Sequence, residues 1–139
     1  MKLHHIGIVV KSLERTGEEF GRRLDLEKRS EIIEDPLQLV KLQFWASTGD
    51  TTEIELIEPC GSDSPAYGAL QHGGGLNHLC YEVPDIEASV RQARRQGAVQ
   101  TREILPAVAF GGRKIAFVYY NLLGLIEFLE SGAVPNGDR

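Results

Sequence analysis

The chain has 139 residues, 42% hydrophobic and 25% charged, the size and balance of one globular domain with a real core. Fifteen Lys and Arg against twenty Asp and Glu leave a net charge of −5, and the pairs Arg22-Arg23 and Arg94-Arg95 read as cations closing helices, so nucleic acid is not an expected partner. Met1-Lys2 runs directly into a strand pattern, no apolar run is long enough to span a bilayer, and two cysteines without a CxxC spacing fit reduced thiols, so the expectation is a cytoplasmic protein with no membrane partner.

In chain order, residues 3–10 alternate as a strand. Ile6, Ile8 and Val10 form one apolar face, and His5, Gly7 and Val9 form the other. Ser12 is placed to cap a helix to about Leu24, with Leu13, Gly17, Phe20 and Leu24 on one stripe. Strands follow near 27–33 and 39–45, separated by the turn Glu34-Asp35-Pro36. In the second of these, Val40, Leu42 and Phe44 are expected on the apolar face, with Lys41, Gln43 and Trp45 pointing the other way. After the turn Ser47-Thr48-Gly49-Asp50, strand 52–58 puts Ile54 and Leu56 on one side and Glu53, Glu55 and Ile57 on the other.

Residues 60–75 read as a linker with a short helical piece at 65–71. In strand 77–83, Leu79, Tyr81 and Val83 face the helix side while His78, Cys80 and Glu82 face away. Asp85 caps a helix carrying Ile86, Val90 and Ala93 on one stripe, and Gly97 stops it. Strands near 99–104, 114–120 and 124–129 complete this half, with a glycine-containing loop at 107–113, and residues 132–139 read as a disordered tail.

The two halves repeat each other. His5 and His78 stand 73 positions apart (78 − 5), and Val10, Ser12, Leu13 and Glu14 fall on Val83, Asp85, Ile86 and Glu87 at the same spacing. Ile54-Glu55-Leu56-Ile57-Glu58 matches Ile126-Glu127-Phe128-Leu129-Glu130 at a spacing of 72 (127 − 55). Such self-similarity dictates architecture. It predicts an α+β fold of two tandem β-α-β-β-β modules, forming a curved, mostly antiparallel sheet with helices on the outer face. The expected organisation is a single domain over 1–131, with module one at 3–59, the linker at 60–75 and module two at 76–131.

By alternation, His5, Glu55, His78 and Glu127 belong to the sheet face that the helices leave uncovered. A carboxylate on a buried strand face is costly unless paired with a cation. Two imidazoles and two carboxylates suit one divalent metal of borderline character: Ni, Co, Zn, Mn or Fe. His4 corresponds to Asn77 and is assigned to the edge or surface, and His72 to the solvent-exposed linker. Arg113, beside Gly111-Gly112, is placed to hold a substrate carboxylate or phosphate. Gln43, Trp45, Tyr120 and Cys80 are expected toward the cavity, where they would shape a small-molecule pocket. No nucleophile–base pair of the hydrolase kind stands out.

Paired modules with His5-Ile6-Gly7-Ile8-Val9-Val10, Glu53-Ile54-Glu55-Leu56-Ile57-Glu58-Pro59, Ser64-Pro65 and Gly75-Leu76-Asn77-His78-Leu79-Cys80-Tyr81-Glu82-Val83 resemble the vicinal oxygen chelate superfamily. Glyoxalase I, methylmalonyl-CoA epimerase, extradiol dioxygenases and fosfomycin-resistance proteins belong to it. The likeness runs from Leu3 to Ser131 and leans toward the epimerases, although Glu55 as the second ligand looks glyoxalase-like. The resemblance implies a metal set of His5, Glu55, His78 and Glu127, and an epimerase or isomerase acting through a metal-stabilised enolate on a small acyl or 2-oxo substrate. A lactoylglutathione lyase is the alternative, and a non-catalytic small-molecule binding protein the second. Glu127 is the implied base. Lys41 is a candidate second acid/base, with Glu53 and Glu82 as other choices. A homodimer is likewise implied.

Overall fold

The computed structural model describes residues 1–132; the tail expected to be disordered lies, beyond Gly132, outside the described residues. Ten strands and three α-helices are present among them. The chain divides into two compact units, one spanning His5–Asn77 and the other combining Met1–His4 with the chain from His78 onward.

In the first unit, β1 (Lys2–Val9), which belongs to it from His5 onward, leads to α1 (Leu13–Arg23). Ser12 is in extended conformation and its Oγ accepts from the Arg15 N–H, which is the cap the sequence predicts. Then come β2 (Glu27–Lys28), β3 (Ile33–Asp35), β4 (Val40–Ala46) and β5 (Glu53–Pro59). They lie in the order β2-β4-β5-β1, with β3 also on β4. The pairings to β4 are antiparallel, and β1 runs parallel to β5.

The strand expected over 27–33 is interrupted. The Arg29 N–H still donates to the Phe44 carbonyl, but the next link uses a side chain, the Phe44 N–H donating to Ser30 Oγ. A serine bonding through its own hydroxyl replaces the ladder there. Leu24 caps α1 and is 61% exposed rather than part of its buried stripe. Leu26 packs against the core in its place. The chain returns through the short helix α2 (Tyr67–Gln71) and the glycines after it. Gly74 has φ +69°, and a Cβ there would lie 2.6 Å from the Val9 carbonyl oxygen, so glycine is required on both counts.

The second unit repeats the plan with β6 (Gly75–Val83), which belongs to it from His78 onward, α3 (Ile86–Arg95), β7 (Val99–Gln100), β8 (Leu105–Pro106), β9 (Lys114–Tyr120) and β10 (Gly124–Glu130). The order is β6-β10-β9-β7, with β8 also on β9. β6 is parallel to β10 and the other pairings are antiparallel. Asp85 caps α3 by accepting from the Ala88 N–H. A 3-10 turn, Val108–Phe110, occupies the predicted loop.

Each unit has its own helix-side core. In the first, Val10, Leu13, Trp45 and Leu56 are joined by Ile8, Phe20 and Ile54. In the second, Val83, Ile86, Val90, Ala93, Ala116, Val118, Ile126 and Phe128 pack with Tyr81 and Tyr120. One further device recurs. Glu58 Oε1 accepts from the Leu13 N–H at 3.2 Å, and Glu130 Oε2 from the Ile86 N–H at 3.1 Å. In each unit the last strand thus satisfies the first N–H of the helix, a group that no intrahelical partner serves.

Candidate metal-binding residues

The first unit brings His5 and Glu55 together. His5 Nε2 lies 3.6 Å from Glu55 Oε2, and the two residues are 0% and 4% exposed. Parallel pairing sets Glu53 beside His5 and Glu55 beside Gly7, so all three polar side chains share the face opposite Ile54 and Leu56. The second unit does the same with His78 and Glu127, whose Nε2 and Oε2 atoms are 2.9 Å apart, at 6% and 2% exposure. Both pairs occupy the helix-free face, as alternation predicts.

Four expected site residues do not share that face. Cross-strand partners lie on one side of a sheet. Phe44 pairs with Glu55 and Leu42 with Ile57, whereas Trp45 pairs with Ile54, Gln43 with Leu56 and Lys41 with Glu58. Val40, Leu42 and Phe44 are therefore on the His5 side, and Lys41, Gln43 and Trp45 on the α1 side. Trp45 lies against Gly17 of the helix, and Gln43 Nε2 donates to the Ser30 carbonyl. Lys41 lines an open pocket with Ser12, Glu34 and Glu58. Tyr120 is reversed in the same way. It packs in the α3 core, and its hydroxyl donates to Gln96 Oε1 at 3.0 Å.

The physical cause is that β4 is buried on both sides over most of its length. Apolar character then marks no face, and an error of one residue in phase exchanges all side chains. The register against β5, where the glutamates fix the sides, carries the missing information. Cys80, paired with Glu127 and fully buried, is on the His78 face as expected.

Arg113 lies over the Phe110 ring with its guanidinium carbon 5.9 Å from the centroid, and Nη1 donates toward the Glu130 carbonyl. His4 is more enclosed than an edge residue. Its ring meets Phe110 edge-on, and Nε2 is 3.8 Å from Glu82 Oε1. His72 is exposed, with Nδ1 at 2.7 Å from the Gly68 carbonyl.

Two residues escaped sequence reasoning. Phe44 meets the His5 ring edge-on, centroids 5.8 Å apart at 83°. Phe117 meets His78 at 5.2 Å and 89°. They stand 73 positions apart (117 − 44), so extending the histidine spacing into the second long strand of each half, β4 and β9, finds them.

The family model of the Glyoxalase/Bleomycin resistance protein/Dioxygenase superfamily matches residues 4–117, and the chain belongs to that superfamily. Among individual relatives it is 31% identical over 120 residues to the ethylmalonyl-CoA/methylmalonyl-CoA epimerase of Cereibacter sphaeroides, covering 85% of this chain and 87% of the relative. It is 35% identical to the mitochondrial methylmalonyl-CoA epimerase of mouse, over 68% of this chain and 53% of that longer protein. A hypothetical protein from Bacillus halodurans has the same fold, with a TM-score of 0.82, 28% identity and 98% coverage of both chains. Streptomyces coelicolor methylmalonyl-CoA epimerase, solved with 2-nitronate-propionyl-CoA, shares the fold at a TM-score of 0.79 and 23% identity over 96% of this chain and 99% of that one. No helix among the described residues is long and apolar enough to cross a membrane.

Proposed function

We propose that the protein is a metal-dependent epimerase of the methylmalonyl-CoA type, in which His5, Glu55, His78 and Glu127 together hold one divalent ion. The observation that carries this reading is the recurrence of a buried His–Glu pair on the helix-free strand face of both units. Carboxylates this deeply buried demand cationic company, and two imidazole nitrogens with two carboxylate oxygens fit Ni, Co, Zn, Mn or Fe. The epimerase relatives and the acyl-CoA analogue bound to the Streptomyces enzyme support a CoA thioester as substrate.

When bound, the ion supplies a Lewis acid for two vicinal substrate oxygens and so acidifies the C–H between them. The protein must then take a proton from one face of that carbon and deliver another to the opposite face. Glu127 is the proposed base that removes it at a side-chain oxygen. Glu53 is the proposed group that returns one, since it is 7% exposed and beside His5 on the same face. Lys41 has no part in this step, because it stands on the α1 side with Glu58. We further propose that the chain acts in the cytoplasm as a homodimer, which light scattering on the purified protein tests.

The functional test is exchange in D2O. Wild type loaded with Co or Ni is expected to interconvert the two methylmalonyl-CoA epimers and to place deuterium at C2, while Glu127→Gln loses both by two orders of magnitude or more, about what general base catalysis contributes. Turnover of the glutathione hemithioacetal of methylglyoxal, without C2 exchange, would replace this reading with a glyoxalase. Metal binding without either reaction would leave a binding protein.

A further inference from the structure

Phe44 and Phe117 occupy equivalent corners. Phe44 is directly across from Glu55 in the β4–β5 register and edge-on to His5. Phe117 is directly across from Glu127 in the β9–β10 register and edge-on to His78. Each ring therefore flanks both members of its His–Glu pair from the neighbouring strand. Edge-on aromatic contact is favourable at these separations and fixes the mutual angle of the rings. A phenylalanine also offers no acceptor to which an imidazole N–H might turn instead.

An edge-on histidine alone is no signature, because His4 meets Phe110 at 5.3 Å and 89°. What sets the other two apart is recurrence at the histidine spacing and the glutamate across the strand. From this we infer that Phe44 and Phe117 are positioning residues, which hold the imidazoles of His5 and His78 with Nε2 turned to the carboxylate and so preset the donors for a metal. The inference rests on the metal-binding reading above. The planar edge is the required feature: leucine fills similar space but lets the imidazole rotate, whereas tyrosine keeps the edge.

The test uses the full chain titrated with Co(II), read by its visible d–d absorption, with thermal unfolding followed in parallel. Phe117 is the better probe, since it is only partly buried, whereas Phe44 is fully buried. Phe117→Leu is expected to weaken Co(II) binding about tenfold, the lower end for groups that orient metal ligands, and to change the absorption bands. Phe117→Tyr is expected to restore both. Wild-type affinity and spectrum in Phe117→Leu would overturn the inference while leaving the metal site standing. So would a loss in Phe117→Leu that Phe117→Tyr fails to restore, or one that follows only unfolding. A wild type that binds no Co(II) would overturn the inference and the metal reading together.

Discussion

Gly17→Ala separates two opposed expectations. On an exposed helix face, alanine in place of glycine stabilises by about 1 kcal/mol through backbone entropy. Gly17, however, is buried against β4, and a Cβ built on it lies 2.7 Å from Trp45 Cζ2 and 3.5 Å from Gln43 Oε1. The indole is a rigid plane, itself 9% exposed, and a Cβ built on Gly21, one turn further along α1, would lie 3.6 Å from its Cζ3. Accommodating a methyl group there costs about 1–3 kcal/mol by overpacking, so against the entropic gain the net expectation is a loss of up to about 2 kcal/mol. With a urea m-value of about 2 kcal/mol/M, the midpoint falls by up to about 1 M. Trp45→Phe removes the clashing atoms, and in that background Gly17→Ala is expected to be neutral or stabilising by up to about 1 kcal/mol. Urea unfolding of the four proteins measures the coupling. Equal effects of Gly17→Ala in both backgrounds, or a stabilised single mutant, would refute the packing of Trp45 on α1.

The strand-to-helix tethers are expected to be worth about 0.5–2 kcal/mol each, so Glu58→Ala and Glu130→Ala should each lower the urea midpoint, whereas a variant as stable as wild type would deny the tether. Lys41→Met is expected to leave epimerisation unchanged and Glu53→Gln to slow it at least tenfold with metal content intact; the opposite ranking in the C2 exchange assay would reinstate Lys41. The Lys114 ammonium, hydrogen-bonded to Glu87 at 2.9 Å, holds that carboxyl below its ordinary range. A depressed carboxyl contributes stability above its unfolded pKa and loses it as pH falls through the folded one. Lys114→Met should therefore flatten the acid limb of the stability–pH curve, and an unchanged limb would show that solvent screens the exposed pair completely.

The internal repeat makes much of this protein legible in its sequence. Both long helices, α1 and α3, begin at the caps Ser12 and Asp85, because a short oxygen acceptor is what the first turn needs. The two His–Glu pairs were legible because a histidine and a glutamate recur where alternation puts them on one side. The faces of β4 and β9 were not. Val40, Leu42 and Phe44 are as buried as Trp45, so hydrophobicity could not tell the His5 face from the α1 face, and only the pairing of Phe44 with Glu55 fixes it. Tyr120 misled in the same manner, since an aromatic with a polar tip suits a ligand cavity and a helix core equally until its hydroxyl is seen bonded to Gln96. The broken strand at 29–32 depends on the Ser30 hydroxyl reaching the Phe44 N–H, a long-range contact with no local signal.

That the two repeated His–Glu pairs serve one ion is tested most directly by metal stoichiometry, by elemental analysis and Co(II) titration, of wild type, His5→Ala, His78→Ala and Glu127→Gln. One ion per chain is expected in wild type, with binding abolished or strongly weakened by the loss of a histidine from either unit. Two ions per chain, with each histidine substitution removing one and sparing the other, would contradict it, as would no tightly bound ion of any of the five metals.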